Sequence, residues 1–264
     1  MNHHVAQPGK RDAIALMYHA LADGMHPAGQ DPHYTLEASA FARQLEVLAE
    51  CAETAGCARD WLQGDTRDRV VLTFDDGHES NHRLAFPALV EHGMRADFFV
   101  NPANVGLPGY ATWQQLREMS DAGMSIQSHG YDHVYLTRLG GNLRASLVAA
   151  RKAIEDHVGA PVTLLAPPGG RVNPDLCDVA RECGYAHVLG SRPGRMAHDA
   201  AGILPRLSVT RATDARVIRR WLSDRPAALL RETLRYSTLA AAKRLLGDRR
   251  YERMRASALS EGGG

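Results

Sequence analysis

The sequence predicts an α/β fold in which helices surround a parallel sheet. Short apolar runs alternate with amphipathic helical segments between residues 13 and 210, and this alternation is typical of parallel sheets. The chain has 264 residues and 44% hydrophobic content, which is enough for one large core. α/β barrels reach this length as one domain. Seven predicted strands favour a barrel, although the strand count alone also fits an open sheet.

The predicted strands are apolar runs bounded by glycine or polar residues. They span residues 13–18, 70–74, 96–100, 124–127, 162–165, 185–189 and 207–210. Apolar residues at helical spacing predict helices over 39–48, 79–92, 112–123, 142–157 and 173–184. Thr112 and Gln115 match a capping box, and Asn173 precedes a proline at a first helical position. Residues 51–69 are poorly patterned and predict no element.

Charge and hydropathy argue against several kinds of partner. The formal net charge is only +1, so the composition predicts no nucleic-acid partner. No apolar run is long enough to cross a bilayer. Residues 1–10 lack the apolar segment of a signal peptide. Together these observations predict a cytoplasmic protein.

The C-terminal part of the chain has a different composition. Residues 211–255 contain 13 Arg and Lys and five Asp and Glu, a balance of +8 against −7 for the rest of the chain (+1 minus +8). We therefore expect a barrel domain over residues 11–212 and a basic helical extension over residues 213–264. The plain interpretation of the extension is a solvated helical cover on the barrel. The alternative is a basic surface that contacts anionic lipid peripherally, at the inner membrane face.

Two adjacent carboxylates follow the strand predicted over residues 70–74. Asp75 and Asp76 stand at its C-terminal end, and Gly77 marks a turn. In barrel enzymes this end of the sheet carries the catalytic residues. Neighbouring carboxylates stay ionised together only when a cation or hydrogen-bond donors compensate them. An ordinary turn also explains the tripeptide. A metal bound by one aspartate, with the other left as a base, explains both charges.

Two further polar clusters follow predicted strands. His129 and His133 come after the fourth strand, and residues 167–170 (Pro-Pro-Gly-Gly) come after the fifth. Because the strand ends of a barrel face one pocket, we expect all three clusters to meet there. The two histidines are four residues apart, which suits one cation if the segment makes a helical turn. Imidazole and carboxylate ligands together fit zinc, and also iron, cobalt, nickel or manganese.

Together these motifs resemble the polysaccharide deacetylase family, the NodB-like carbohydrate esterases. The resemblance covers about residues 11–210 and rests on residues 73–77 (Thr-Phe-Asp-Asp-Gly) and 128–133 (Ser-His-Gly-Tyr-Asp-His). Residues 16–19 (Leu-Met-Tyr-His) and the strand at 96–100 are similar as well. The resemblance implies a distorted (β/α)7 barrel and metal-dependent hydrolysis of an acetyl group on a sugar.

The resemblance also implies roles for individual residues. Asp75 is expected to be the general base, and Asp76, His129 and His133 are expected to bind a divalent metal. Zinc is the first choice for that metal, with cobalt, nickel, manganese and iron as alternatives. Substrate contacts are expected from residues near the predicted strand ends, namely His19, Tyr131, Pro167, Pro168 and Gly169.

Two features depart from the family pattern. The third motif usually offers an arginine that orients the base, followed by Pro-Pro, an aromatic residue and Gly. Here residues 166–170 read Ala-Pro-Pro-Gly-Gly, and substitution by Arg171 is left open. The late Leu-x-His motif, which supplies the general acid, is not evident, and residues 205–210 read Pro-Arg-Leu-Ser-Val-Thr. The candidates for the acid are then His19, His78, His187 and His198.

These observations predict a metal-dependent hydrolase that removes an N-acetyl group from an amino sugar of a glycan or glycan precursor. An O-acetyl esterase or a deformylase acting on a lipid-linked sugar is an alternative. The missing arginine and late histidine also fit a catalytically impaired, sugar-binding relative. The aspartate pair favours the enzyme, because a binding protein has no need of Asp75.

Overall fold

The computed structural model describes residues 12–24, 30–51, 55–64, 69–197, 202–223, 225 and 227–246. Its strands are β1 (Ile14–Tyr18), β2 (Leu21–Ala22), β3 (Leu36–Glu37), β4 (Ala55–Gly56), β5 (Val70–Phe74), β6 (Asp97–Val100), β7 (Ser125–Ser128), β8 (Leu164–Leu165), β9 (His187–Leu189), β10 (Ile203–Leu204) and β11 (Leu207–Ser208). Its α-helices are α1 (Ala38–Cys51), α2 (Ala58–Leu62), α3 (Phe86–Glu91), α4 (Trp113–Asp121), α5 (Leu143–Val158), α6 (Pro174–Glu182), α7 (Ala215–Leu222) and α8 (Leu230–Leu246). The alternation of strands and helices confirms the predicted α/β class.

One parallel sheet contains nine of these strands. Its order is β10-β9-β8-β7-β6-β5-β1-β11, with β4 paired to β5, while β2 and β3 form a separate pair. β10 pairs with β9 and β11 pairs with β1, yet both are parts of one segment, residues 203–208. This segment therefore lies between β9 and β1 and completes a ring of seven strand positions. The arrangement confirms the distorted (β/α)7 barrel.

The structure differs from the sequence prediction where elements are short or interrupted. β4 and α2 lie in the region where no element was predicted, because two and five residues are too few to show a periodicity. The helix predicted over 79–92 begins with a π-helical turn, Asn81–Ala85, before α3. Pro87 has no N–H to donate to the carbonyl four residues earlier, which favours this irregular start.

The alternation of side chains along β5 determines which face of the sheet the residue after the strand occupies. Phe74 lies on the helical side of the sheet, with its ring 5.8 Å from that of Phe41 in α1. Val71 belongs instead to a smaller cluster of buried residues that includes Phe99 of β6. Side chains of a strand alternate between faces, so Asp75 continues the face of Val71. β5 therefore delivers Asp75 to the inside of the barrel mouth.

A buried carboxylate fixes α2 against the barrel. Asp97 of β6 is fully buried, and its oxygens accept hydrogen bonds from the backbone N–H groups of Ala58 (2.5 Å) and Arg59 (3.4 Å). Cys57, which precedes the helix, makes no side-chain cap of its own. Asp97 thus caps α2 from a distant strand. Burial raises the pKa of the Asp97 carboxyl to about 6.

Replacing Asp97 with asparagine is expected to flatten the dependence of stability on pH. The folded-state pKa is raised, so the stability linked to this proton is present below about pH 4 and is lost as pH rises through about 6. Between about pH 5 and 8, the wild-type free energy of unfolding should fall by about 1–2 kcal/mol relative to the variant. The asparagine oxygen still accepts a hydrogen bond from Ala58. Urea unfolding at both pH values measures the difference, and parallel profiles would contradict the assignment.

The first helix of the extension packs on the barrel. α7 lies against α1, and its residues Ile218 and Trp221 belong to the main core cluster. Asp214 caps this helix by accepting a hydrogen bond from the N–H of Val217 at 2.9 Å. Most described side chains of α8 are exposed. The division of the chain at residue 212 stays a prediction, and residues 247–264 lie outside the described residues.

Part of the basic charge of the extension is engaged within the protein. Arg219 pairs with Glu50 of α1, and Arg220 pairs with Glu232 of α8, both at 2.7 Å. These pairs favour the interpretation of α7 as a cover on the barrel. None of the helices in the described part of the chain has both the length and the hydropathy that a bilayer span requires. Peripheral membrane contact and a cytoplasmic location stay predictions.

Candidate active site

A cleft of about 1070 Å³ opens at the C-terminal ends of the barrel strands. It is lined by residues that follow four different strands: His19 after β1, Asp75 and Asp76 after β5, His129 and His133 after β7, and Gly169 after β8. Active sites of barrel enzymes lie at this end of the sheet. The three polar clusters that the sequence expected to meet do meet in this cleft.

Asp76 lies among three histidines. Its Oδ1 is 3.2 Å from Nε2 of His129 and 3.1 Å from Nε2 of His133, while its Oδ2 is 3.3 Å from Nε2 of His78. One ligand atom from each of Asp76, His129 and His133 lies within 4.8 Å of the other two. Two imidazoles and one carboxylate around a single point are a typical ligand set for a divalent metal that keeps a position open for water or substrate.

Left-handed backbone conformations place two of these three residues. Asp76 has a φ of 77° and His133 a φ of 61°, and no other described residue except glycine has a positive φ. Such conformations cost on the order of 1–3 kcal/mol for a residue with a side chain, and they cluster at functional sites. Gly77 is also left-handed, and a Cβ there would lie 3.0 Å from Cγ1 of Val100. The turn after β5 therefore requires glycine at this position.

The segment that joins His129 to His133 bends without forming a helical turn, so the two histidines meet by a different backbone path from the one that their spacing suits. Gly130 has a φ of 80°, which together with the left-handed His133 turns the chain back on itself. Asn101 stabilises the bend, since its Nδ2 donates to the carbonyl of His129 at 2.6 Å. The bend places the two imidazole centroids 5.3 Å apart. A loop, and not a helical turn, thus brings the two histidines together.

The electrostatics of Asp76 fit a bound cation. Burial by itself raises the pKa of the Asp76 carboxyl, but hydrogen bonds from His129, His133 and His78 outweigh it and hold that pKa well below its usual range. The hydrogen bond to Asp76 in turn raises the pKa of His133. An ionised carboxylate and imidazole nitrogens facing one point are the ligand forms that zinc and related metals bind. Asp76, His129 and His133 could therefore hold a divalent metal.

A buried arginine that sequence reasoning missed holds the carboxylate of Asp75. Nη1 of Arg206 donates to Oδ1 at 2.7 Å, and Nη2 donates to Oδ2 at 2.8 Å. Both side chains are buried, at 1% and 4% exposure. Arg206 also donates from Nε to the carbonyl of Gly190 at 2.9 Å and from Nη1 to Oγ1 of Thr73 at 3.1 Å. Contact through two nitrogens fixes the plane of the Asp75 carboxylate.

Arg206 makes the contact to the Asp75 carboxylate. The third motif, residues 166–170, has no arginine to make it. It stands between β10 and β11, in the segment that closes the barrel, and its guanidinium lies 5.3 Å from the ring centroid of Phe99. Burial by itself raises the pKa of the Asp75 carboxyl, but Arg206 and His129 lower it below its usual value. The available sequence signal was a lone charge directly before the strand predicted over residues 207–210, because a charge that becomes buried needs a partner.

Tyr135 occupies the space beside the third motif. A Cβ on Gly169 would lie 2.7 Å from Cε1 of Tyr135, so the missing side chain at residue 169 leaves room for this ring. The guanidinium carbons of Arg171 and Arg138 lie 4.1 Å and 4.7 Å from the ring centroid. Arg171 therefore stacks on Tyr135, and it is Arg206 that orients Asp75.

His19 lies in the cleft near the two aspartates. Its carbonyl accepts a hydrogen bond from Nδ2 of Asn81 at 2.7 Å, and its ring stacks on Tyr34 at a centroid distance of 4.5 Å. Burial lowers the pKa of His19, although the charges of Asp76 and Asp75 raise it. Its Nδ1 has no hydrogen-bond partner within the described part of the chain. His19 therefore lines the cleft with one ring nitrogen that has no partner among the described residues.

The other predicted site residues take different positions. The residues of the substrate-contact prediction that do not line the cleft are Tyr131, Pro167 and Pro168. Among the candidates for the acid, His78 contacts Asp76, and His187 lies in β9 away from the cleft lining. His198 lies outside the described residues. The functional roles of all the predicted site residues stay predictions.

The fold and the cleft define a (β/α)7 barrel protein with a candidate metal-centred active site. Comparison with known proteins identifies the family more closely, because the polysaccharide deacetylase family model matches residues 63–188. YxkH of Bacillus subtilis, whose name assigns it to the polysaccharide deacetylases, is 33% identical over 131 residues. That match covers 49% of this chain and 47% of YxkH. PgdA of Listeria monocytogenes, a peptidoglycan-N-acetylglucosamine deacetylase, is 31% identical over 157 residues, which cover 58% of this chain and 32% of PgdA.

A solved structure agrees on the fold. The crystal structure of a polysaccharide deacetylase from Bacillus cereus has a TM-score of 0.74 and 21% sequence identity, covering 81% of this chain and 69% of that one. Together these comparisons support a NodB-like polysaccharide deacetylase domain, and the family model matches residues 63–188. It spans about half the length of YxkH and about a third of PgdA. The matched segment contains the aspartate pair and both histidines, whereas Arg206 and α8 lie beyond it.

Proposed function

We propose that the protein is a metal-dependent hydrolase that removes an N-acetyl group from an amino sugar of a glycan or glycan precursor. The observation that carries the proposal is the fixed carboxylate of Asp75 beside the group of Asp76, His129 and His133. A protein that only binds sugar has no use for a buried carboxylate held in one plane by Arg206. The name of the relative PgdA supports an acetylated glycan as the class of substrate.

The metal would be held by Asp76, His129 and His133. Zinc is the first choice for this ligand set, with cobalt, nickel, manganese and iron as alternatives. When bound, a divalent metal lowers the pKa of water and polarises a carbonyl oxygen, which are the two effects that amide hydrolysis needs. Contact from His78 to the second oxygen of Asp76 holds the carboxylate so that its first oxygen faces the two histidines.

The chain's own residues account for the proton transfers. Asp75 accepts the proton of the attacking water as general base, and Arg206 keeps its carboxylate ionised and oriented. A backbone N–H of the turn at Asp76, which lines the cleft, is the candidate donor to the oxyanion that forms at the acetyl carbon. In its protonated form, His19 would give a proton to the leaving nitrogen as the C–N bond breaks. The acetyl carbon keeps the water oxygen, so the products are acetate and a free amino sugar.

Loss of either Asp76 or His133 is expected to abolish metal binding. Each of the variants Asp76→Ala and His133→Ala removes one of only three protein ligands, and elemental analysis after loading with zinc measures the metal content. His82→Ala is a matched control, because His82 pairs with Glu118 outside the cleft. The control should retain the wild-type metal content. Full metal stoichiometry in both ligand variants would overturn the assignment.

The bond that is cleaved is tested with a panel of substrates. Metal-loaded protein is incubated with N-acetylated, O-acetylated and N-formylated amino sugars, both soluble and lipid-linked, and the products are identified by mass spectrometry. We expect acetate and a free amine from N-acetylated sugars. Acetate from O-acetylated sugars alone would support an esterase, and formate would support a deformylase. Absence of any product, with the metal bound, would contradict catalysis and support a sugar-binding relative.

A further inference from the structure

The cleft extends past the candidate metal centre to a second wall that the family match does not include. One side of this wall is the loop after β2, which contributes Asp31, His33 and Tyr34. The other side is α8, which contributes Glu232, Arg235 and Tyr236. Arg235 and Tyr236 follow Glu232 by three and four positions, so they lie on the same side of the helix as Glu232. The α8 side of the wall therefore belongs to the extension of this chain.

The size of the cleft leaves room for more than one acetylated sugar ring. Its volume of about 1070 Å³ lies just above the range of about 300–1,000 Å³ in which pockets enclose drug-sized ligands. Tyr34 connects the two regions, since its ring stacks on His19 near the aspartates and it also lines the second wall. A group attached to the acetylated sugar would therefore extend toward α8.

The carboxylates and the guanidinium of the second wall do not pair with one another. Asp31 accepts a hydrogen bond from the backbone N–H of His33 at 2.9 Å, and Glu232 pairs with Arg220 at 2.7 Å. The described contact of Arg235 is between its Nη2 and Nε2 of His33, at 3.4 Å. Within the described part of the chain, no carboxylate lies within salt-bridge distance of Arg235. The Arg235 guanidinium thus lines the cleft beside the His33 ring, and among the described residues Arg235 has no acidic partner.

We propose that Arg235 and His33 form a subsite for an anionic group carried by the substrate next to the acetylated sugar. A guanidinium offers planar donors that match the paired oxygens of a phosphate or a carboxylate. Phosphate and carboxylate both present paired, negatively charged oxygens, and the subsite recognises this feature. This inference rests on the proposed function, in which an acetylated sugar binds in the cleft. It adds that the substrate also carries a negative charge next to that sugar.

The subsite is tested by calorimetric binding of three probes to zinc-loaded protein: N-acetylglucosamine 1-phosphate, N-acetylmuramic acid and methyl N-acetylglucosaminide. At least one anionic probe should bind about tenfold more tightly than the neutral glycoside, the lower end of the effect of hydrogen bonds to a charged group. The stronger of the two anions identifies the group as phosphate or carboxylate. Equal affinity for all three probes would overturn the proposal.

Single substitutions test whether Arg235 of α8 causes the preference for anionic probes. Arg235→Gln should remove the preference for the anion, whereas Arg231→Gln should keep it, because Arg231 is exposed on the same helix but does not line the cleft. The preference should also persist in Asp76→Ala. Its loss there would place the anion at the metal centre and overturn the subsite. Anion-selective binding without acetate release would refute the proposed function and leave the subsite standing.

Discussion

Replacing Asp75 with asparagine is expected to lower the rate of acetate release by about 10²–10⁴-fold, the usual contribution of general acid–base catalysis. Asparagine has nearly the same shape and can still accept a hydrogen bond from Arg206, but its amide cannot take a proton from water. Asp76, His129 and His133 are unchanged, so the metal content should remain that of the wild type. The measurement is kcat/KM on the best acetylated sugar, with metal content determined in the same samples.

Two controls separate chemistry from damage to the fold. Asp121→Asn makes the same chemical change at an exposed carboxylate at the end of α4, and it should leave activity unchanged. Arg206 loses its charged partner in Asp75→Asn, so this variant is expected to be less stable. All activities are therefore measured below its unfolding temperature. Activity near that of the wild type, with the metal bound, would show that the water is activated without Asp75.

Replacing Arg206 with methionine is expected to destabilise the fold by about 3–5 kcal/mol, the usual cost of leaving a buried charge without its partner. The Asp75 carboxylate is buried, and Arg206 provides two hydrogen bonds to it, at 2.7 Å and 2.8 Å. Methionine fills much of the same space but compensates no charge. The free energy of unfolding, measured by urea denaturation near pH 7, gives the magnitude.

A double variant and a conservative variant identify the cause of that loss. Asp75→Asn combined with Arg206→Met removes both charges, so it should be more stable than Arg206→Met alone. Arg206→Lys should fall between the wild type and Arg206→Met, because an ammonium group cannot reproduce a planar contact with both oxygens. A stability loss of Arg206→Met below about 0.5 kcal/mol, or strictly additive effects in the double variant, would contradict the ion-pair account.

The parts of the site that the sequence predicted are those that lie close together in the chain. Asp75 and Asp76 follow a mostly apolar run, and His129 and His133 follow a shorter predicted strand over residues 124–127, so strand ends could be recognised from local pattern. Parallel topology then implied that these ends meet, and the structure places all four residues in one cleft. The parallel sheet followed from the alternation of strands and helices, whereas the (β/α)7 barrel was implied by the family resemblance.

The parts that could not be predicted depend on contacts between distant segments. Arg206 is 131 residues from Asp75, and nothing in the local sequence shows that the two side chains meet. The bend at His133 depends on a left-handed backbone and on the hydrogen bond from Asn101, neither of which periodicity reports. Tyr135 fits beside Gly169 only because the two loops meet in space. Tertiary packing determines each of these features.

The most direct test of a metal-dependent catalytic centre is acetate release while metal is returned to chelated protein. Wild-type protein stripped of metal should release no acetate from an N-acetylated sugar, and activity should rise with added zinc and reach its plateau at one bound ion per chain. Asp76→Ala, treated in the same way, should stay inactive at every zinc concentration. Undiminished acetate release from protein shown by elemental analysis to contain no metal would contradict the account.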